Sequence, residues 1–323
     1  MAYTTINKHT DYFNTKLYTG NGGTNAITGV GHQPDWVWTK RRDAAGDHAL
    51  YDVVRGVSKM VNSNSANAES TVSGVTSFDS DGFTLGSGGD SNGNSETYAS
   101  WNWKANGAGS SNGNGTITST VSANTTAGFS IVKYAGPGSG SATVGHGLGV
   151  KPKSIIIKSM TNAENWGFWI DTTGNGTADK RLVLNGNAAD YGNYFVSFQN
   201  NTFTLPSHND GSWSGSGQNY IAYCFAEKTG YSKFNSYTGN GNANGSFVYT
   251  GFKPSVIIAK ISSSTSNWRI FDNKRLGYNI DNNPFFPNTS SAEGADDNID
   301  ILSNGFKLRT TDSALNGSGS TYI

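Results

Sequence analysis

The chain states nearly the same pattern three times, at a spacing of a little over one hundred residues. A tyrosine ahead of a glycine turn recurs at Tyr18-Thr19-Gly20-Asn21-Gly22, Tyr134-Ala135-Gly136-Pro137-Gly138 and Tyr237-Thr238-Gly239-Asn240-Gly241. A proline, a β-prone run and a lysine six residues on follow at Pro34 to Lys40, Pro152 to Lys158 and Pro254 to Lys260. Phe78 to Leu85 is answered by Phe198 to Leu205 and Ile301 to Leu308, and Tyr98, Tyr220 and Tyr322 close each pass. Four landmarks in one order, three times over, predict one fold unit in tandem.

Each unit is long enough to bury its own core. The expected fold class is all-β, as three tandem homologous β-sandwich units of jelly-roll or lectin-like type. The expected boundaries are 1–106, a Gly/Ser/Thr-rich linker at 107–126, 127–228 and 229–323. The runs after each proline, such as Ile155-Ile156-Ile157 and Val256-Ile257-Ile258, are continuously apolar and β-branched, which predicts strands covered on both faces. The closing runs alternate, Tyr98, Trp101 and Trp103 matching Tyr220, Tyr223 and Phe225. Asn102 and Cys224 fall on the opposite side, which predicts one packed face. Asp81-Gly82 and Asn304-Gly305 have the composition of two-residue hairpin turns; Asn201-Thr202 in the second pass is a weaker signal.

No segment longer than about ten residues has helical periodicity. Within 107–126 the glycine-rich half reads as a flexible linker and the β-branched half as an added edge strand. The short Glu227-Lys228-Thr229-Gly230 connection predicts that units two and three are fixed together and unit one is less constrained.

Only 14% of residues are charged, against ~25% in ordinary domains, and 23 basic residues balance 23 acidic ones. No broad field attracts a phosphate backbone or an anionic membrane, so nucleic acid is not an expected partner. Cys224 is the single cysteine, which excludes an internal disulfide and a four-cysteine zinc site. The N-terminal run lacks a charged-then-apolar leader, and no apolar run approaches the ~20 residues that cross a bilayer. Folding in a reducing compartment and no membrane insertion are expected.

Repetition also weighs the candidate chemistry, because a scaffold feature recurs whereas an active site need occur only once. Asp79 and Asp81 look like a carboxylate pair or calcium loop, but Gln199 and Asn201, then Leu302 and Asn304, replace them, which favours a turn. Asp171 to Asp179 has acid and glycine spacing without the alternating oxygen ligands and terminal glutamate of an EF-hand. His48 takes the place of Trp166 and Trp268, a packing or stacking slot; His32 and His146 sit in glycine-rich turns without ligand partners, so zinc is not expected. Glu69, Asp190 and Glu293 recur with Arg55, Lys180-Arg181 and Lys274-Arg275 upstream, which favours structural ion pairs over catalysis. No serine lies in a nucleophile elbow. Trp213 sits in the polar run Asp210 to Ser216, where an indole can stack on a sugar, pack on a neighbouring subunit or anchor the loop. It is the one candidate ligand-binding residue. Catalytic residues, metal and cofactors are expected to be none.

Several strings carry a resemblance. Met1 to Lys8, Asp11 to Gly22, Ala99-Ser100-Trp101-Asn102-Trp103-Lys104, Tyr220 to Glu227 and Asp300 to Arg309 are similar to structural proteins of marine tailed bacteriophages, of the cyanophage and pelagiphage kind, with a repeated β domain. The resemblance covers essentially the whole chain and implies a virion component, made in the host cytoplasm, with no catalytic residues to carry over. The resulting expectation is a non-enzymatic virion structural protein, surface-exposed as a tail fibre, tail appendage or capsid decoration, with host attachment included. Its expected partners are other virion proteins, copies of itself as a homo-oligomer, and host-surface glycan. The alternative is a soluble lectin-like glycan-binding module. A polysaccharide-cleaving enzyme would need paired carboxylates ~5 to 9.5 Å apart, and the recurrence of the acids counts against it. The third closing run reaches only Tyr322-Ile323, so a neighbouring chain or further residues are expected to complete its sheet.

Overall fold

A computed structural model describes all residues except 1–3, 276–278, 280–282 and 296–297; Met1-Ala2-Tyr3 of the resemblance thus lie outside the described residues. The protein is all-β, with 37% strand and 4% helix.

The first stretch contains β1 (Phe13–Thr19), β2 (Asn25–Thr28), β3 (Trp36–Arg41), β4 (Ala49–Asp52), β5 (Lys59–Met60), β6 (Ser70–Thr71), β7 (Val75–Asp79), β8 (Gly82–Leu85) and β9 (Thr97–Trp103). Its main sheet has the order β1-β9-β3-β4, and a smaller sheet has the order β2-β8-β7. The second stretch contains β10 (Ser110–Asn112), β11 (Ser119–Asn124), β12 (Phe129–Ala135), β13 (Thr143–Gly145), β14 (Ser154–Ser159), β15 (Gly167–Ile170), β16 (Lys180–Val183), β17 (Ser197–Phe198), β18 (Thr202–Thr204) and β19 (Asn219–Phe225). Its sheets run β10-β11-β12-β19-β14-β15-β16 and β13-β18-β17. The third contains β20 (Tyr237–Thr238), β21 (Phe247–Tyr249), β22 (Val256–Ala259), β23 (Arg269–Asp272), β24 (Ile299–Leu302), β25 (Gly305–Leu308) and β26 (Thr321–Tyr322), in the orders β20-β26, β22-β23 and β21-β25-β24. All pairings between these strands are antiparallel.

The landmarks fall on matching elements. Each repeated proline stands two residues ahead of β3, β14 or β22, and each closing tyrosine is the second residue of β9, β19 or β26. Among the described residues the buried ones form four clusters. Three are local, each between a main sheet and its smaller partner: Val37, Tyr51 and Phe83; Ile155, Ile157 and Phe203; Ile257, Phe271 and Phe306. The fourth is shared by all three stretches. Trp36 stacks on Tyr223 at 4.2 Å between ring centres, Phe168 meets Trp268 at 4.8 Å, and Trp101 meets Phe285 edge-on at 5.8 Å. Aromatic pairs in this range add roughly 0.5–1.5 kcal/mol beyond their burial.

This shared core corrects the expectation that the first stretch is less constrained. Backbone bonds join the stretches in a closed cycle: Glu69 N–H to the Met160 carbonyl at 3.0 Å, Asp190 to Ser262 at 2.9 Å, and Glu293 to Arg42 at 3.0 Å. The closing strands are also corrected, since both of their faces are packed. Asn102 is buried and donates from Nδ2 to the Asn14 carbonyl at 3.0 Å, and Cys224 lies in the local core of the second stretch. Alternation reports which residues share a face, not whether a second layer covers the other.

In the 107–126 stretch the β-branched half forms the added strand expected, and the glycine-rich half, expected as a flexible linker, holds a strand as well. Ser110–Asn112 pairs with β11, and β11 pairs with β12, so two strands extend the largest sheet. The Asp81-Gly82 and Asn304-Gly305 turns are also shifted. Asp79 pairs with Gly82 and Leu302 with Gly305, so Ser80-Asp81 and Ser303-Asn304 form the loops. Glycine is required there by close approach: a Cβ would lie 1.9 Å from the Ile27 carbonyl oxygen at Gly82 and 2.1 Å from that of Val248 at Gly305.

Candidate functional site

The repeated lysines are the functional groups that sequence reasoning left unassigned. Lys40, Lys158 and Lys260 are fully buried at the ends of β3, β14 and β22. Lys158 Nζ donates to the carbonyls of Ser159 (2.9 Å), Glu164 (3.0 Å) and, across a junction, Ala66 (3.0 Å). Lys40 donates to the Arg41 carbonyl at 2.7 Å and lies 5.1 Å from the Phe285 ring centre; Lys260 donates to the Ile261 carbonyl. Burial pulls all three ammonium groups down to about 8. Their return at one position of an otherwise apolar run was the available signal.

The other recurring groups also join the stretches. Trp38 donates to His48 Nδ1 at 2.8 Å, which leaves the proton on Nε2 to be donated to the Phe286 carbonyl at 3.0 Å. Trp166 and Trp268, in the same slot, donate to the carbonyls of Asn62 (2.9 Å) and Val183 (3.0 Å). Burial holds His48 well below its usual range, so the ring is neutral. Glu69 lies 3.5 Å from Arg55, Asp190 lies 3.8 Å from Lys180, and Glu293 lies 3.6 Å from Arg275. Arg55 and Arg275 are also paired with Asp52 and Asp272 in the interior. Tyr223 donates to Asp52 at 2.9 Å and Trp101 to Asp272 at 3.0 Å, so each carboxylate serves two stretches.

The remaining acids and histidines are engaged locally. Asp81 accepts from the amides of Gly29 and Gly31, which lowers its pKa, and Asp79 accepts from Thr84. Asp171 accepts from Gly174 and Gly176, and Asp179 from Thr172, so both serve their own loop. His32 bonds to the Thr10 carbonyl and His146 to that of Gln199; burial lowers both. Among the described residues no group of three or more His, Cys, Asp or Glu is placed to hold a metal.

Of the readings open for Trp213, its burial is that of a loop anchor. The side chain is fully buried, its indole N–H donates to the His208 carbonyl at 2.9 Å, and its ring meets Trp169 edge-on at 5.7 Å. It nevertheless lines a polar hollow of about 310 Å³ with Glu164, Asn165, Arg181, Tyr191 and Asp210. The Arg181 guanidinium lies 4.9 Å from the Tyr191 ring centre, 5.5 Å from Tyr194 and 4.9 Å from Trp213. Burial lowers its pKa and Asp210 opposes that; its Nε is buried without a hydrogen-bond partner. Tyr191, which lines the hollow, and Tyr194 are both exposed. Counted from the closing tyrosines, Ser91 and Leu315 replace Trp213. Counted from the bridges Leu50–Val61, Phe168–Leu182 and Ile270–Phe285, Met60 and Pro284 replace Arg181. The hollow therefore belongs to the second stretch alone.

These features define an all-β protein whose recurring polar groups hold three parts of one chain together. The chain belongs to the DUF7483 family, described as a domain of unknown function, whose model matches residues 8–323 and so covers all three stretches. No curated protein and no solved structure matches it.

Proposed function

We propose that this chain is a non-enzymatic structural protein of a tailed bacteriophage virion, exposed on the particle as a fibre, tail appendage or capsid decoration and present in multiple copies. It is built from three tandem homologous β-sandwich units at 1–106, 127–228 and 229–323, closed into a pseudo-threefold ring. The observation that carries the structural reading is the use of polar groups at the junctions: the amides of Glu69, Asp190 and Glu293, the indoles of Trp166 and Trp268, the carboxylates of Asp52 and Asp272 and the Lys158 ammonium each bond to a neighbouring stretch. The ordered recurrence of main and smaller sheets supports the three units, and the resemblance of the quoted strings supports the virion. Quantitative mass spectrometry of purified particles that encode the chain tests this. Stoichiometric copies are expected, and absence from washed particles would sink the reading.

The hollow beside Trp213 favours a second reading, a lectin-like module that binds glycan. Tyr191 supplies an exposed ring for stacking, and Arg181, Asn165 and Asp210 supply polar atoms for hydroxyl groups. A glycan array repeated with Tyr191→Ala should show bound sugars that the variant loses. An array with no signal above an unrelated β protein would remove this reading and leave the virion one untouched.

A further inference from the structure

Two concavities of the molecule differ in kind. An apolar cavity of about 490 Å³ forms a groove along β22, lined by Trp36, Ile156, Phe168 and Ile258. The hollow of about 310 Å³ beside Trp213 is lined instead by charges of both signs, Glu164 and Asp210 against Arg181. Ser212 holds the two acids together: its amide donates to Asp210 Oδ1 at 2.7 Å and its hydroxyl to Glu164 Oε2 at 3.5 Å. Gly211 leaves room for this, since a Cβ there would lie 2.2 Å from Glu164 Oε1. Among the described residues no donor bonds Asp210 Oδ2 or Glu164 Oε1. Asp312, the counterpart of Asp210 in the third stretch, is closed by Arg269 at 2.7 Å, but Gly167 stands at the position of Arg269, so Asp210 keeps its free oxygen. Counted from the repeated prolines, Gly46 and Ser266 stand where Glu164 does. Free donors face these acceptors. Arg181 Nη1 donates to Asn193 at 3.0 Å and the Asn165 side-chain oxygen accepts from Asn185 at 2.8 Å, while among the described residues Arg181 Nη2 and Asn165 Nδ2 have no acceptor.

We propose that this hollow takes one uncharged sugar residue and rejects the acidic and amino forms of the same sugar. The proposal deepens the glycan-binding reading of this site and rests on it. A hydroxyl group both donates and accepts, so a neighbouring pair can donate to Asp210 or Glu164 and accept from Arg181 or Asn165. The apolar face of the ring then lies on Tyr191, which is 48% exposed. A carboxylate or sulfate pairs with Arg181 but faces the two acids held at Ser212. An ammonium pairs with the acids, yet on Tyr191 it meets the Arg181 guanidinium, which lies 4.9 Å from that ring's centre. In so small a space either ion sits beside a like charge, and that repulsion sets the specificity. The volume is near the lower end of the ~300–1,000 Å³ typical of ligand pockets, which suits a single ring.

The test presents immobilised glucose, galactose and mannose, each beside its uronic acid and its 2-amino form, to the 323-residue protein at neutral pH. At least one neutral sugar should bind about tenfold or more tighter than both of its charged forms, a ratio that one like-charge contact supplies. Tyr191→Ala should abolish that binding; the side chain is exposed, and an unchanged thermal melt shows that the variant is folded. Glu164→Gln keeps the size of the side chain and should narrow the gap to the uronic acid without easing rejection of the amine. An unchanged ratio in that variant overturns the charge argument. Charged sugars bound as tightly as neutral ones, with binding still lost in Tyr191→Ala, overturn this proposal and leave the glycan-binding reading standing. No binding to any sugar removes that reading and this proposal together. Neutral sugars that Tyr191→Ala still holds would lie elsewhere on the protein, which also overturns it.

Discussion

The closing strands of the second and third segments make the sharpest contrast in the molecule. Both follow the same landmarks: β14 and β22 each begin two residues after a proline, and a buried lysine lies six residues after that proline. β19 pairs with β12 over seven residues and with β14 over six, and Ile156 beside it is 5% exposed. β26 spans two residues, and Val256 and Ile258, which match Ser154 and Ile156, are only half-buried. The junction bonds do not follow this difference, because Glu293, Asp190 and Glu69 make the same backbone contact to the next segment. The third segment is thus fixed at its junctions and open at its centre.

The strongest way to break this comparison is at a junction. The Asp272 carboxylate accepts from Trp101, from the Arg275 guanidinium at 2.7 Å, and from the amides of Lys274 and Arg275. Asp272→Ala leaves the buried Arg275 without its nearest partner and should cost ~3–5 kcal/mol in urea titrations. Asp171→Ala, one residue beyond the position of the second segment that matches Asp272, removes an acceptor from its own segment only and should cost ~1–3 kcal/mol. Equal losses would mean that the third segment is not held by this junction.

Packing gives the next largest effect. Ile156→Ala should cost ~2–5 kcal/mol because Ile156, though it lines the cavity, is 5% exposed and packed in the shared core. Ile258→Ala enlarges a space that is already open, and about 1 kcal/mol is expected from the apolar area lost. Matching losses in thermal melts would show that the groove is closed in solution.

The contrast also separates what was legible in the sequence from what was not. Pro34, Pro152 and Pro254 predicted the central strands because a fixed-φ residue ahead of a β-branched run leaves few alternatives. The recurring acid–base pairs were equally visible, as Arg55–Glu69 and Arg275–Glu293. The covered face of Asn102 was hidden, because a polar residue at a period-two position looks the same whether it meets water or a neighbouring backbone. For Trp213 the sequence left stacking, subunit packing and loop anchoring open for a related reason: a polar loop around an indole does not reveal whether the loop folds over it. The buried lysines were passed over because charge is ordinarily read as surface, and only their threefold return at the end of an apolar run marks them. The ring of junctions depended on contacts between segments, which no single segment encodes.

A smaller effect is expected from the indole slot. Trp166→Phe and Trp268→Phe each keep a ring and remove one donor, which leaves the Asn62 or Val183 carbonyl without it. A loss of ~1–2 kcal/mol is expected for each. The two should agree despite the open centre of the third segment, since both bonds lie at junctions. A Trp268 variant that melts like wild type would show that the third segment is anchored elsewhere.

The smallest expected effect per site is the pH response of the lysines. Their folded pKa values of about 8 lie below the ordinary 10.5, so between these limits the unfolded chain binds more protons than the folded one. Stability must then rise with pH from 8 toward 10, by on the order of 1 kcal/mol per lysine at pH 9.5. Below pH 8 both states are protonated and the cost of burying the charge is felt in full. Above about pH 10 the buried tyrosines reverse the trend, because Tyr18, Tyr134 and Tyr223 are pushed well above their usual value by burial and ionise first in the unfolded chain. Urea midpoints across pH 7 to 10 should show the rise, and Lys158→Met should remove about a third of it. Lys260→Met sharpens the comparison: if the groove admits water to β22, its share is smaller than that of Lys158, and equal shares would indicate that the lysine end of the strand is sealed independently of the open centre.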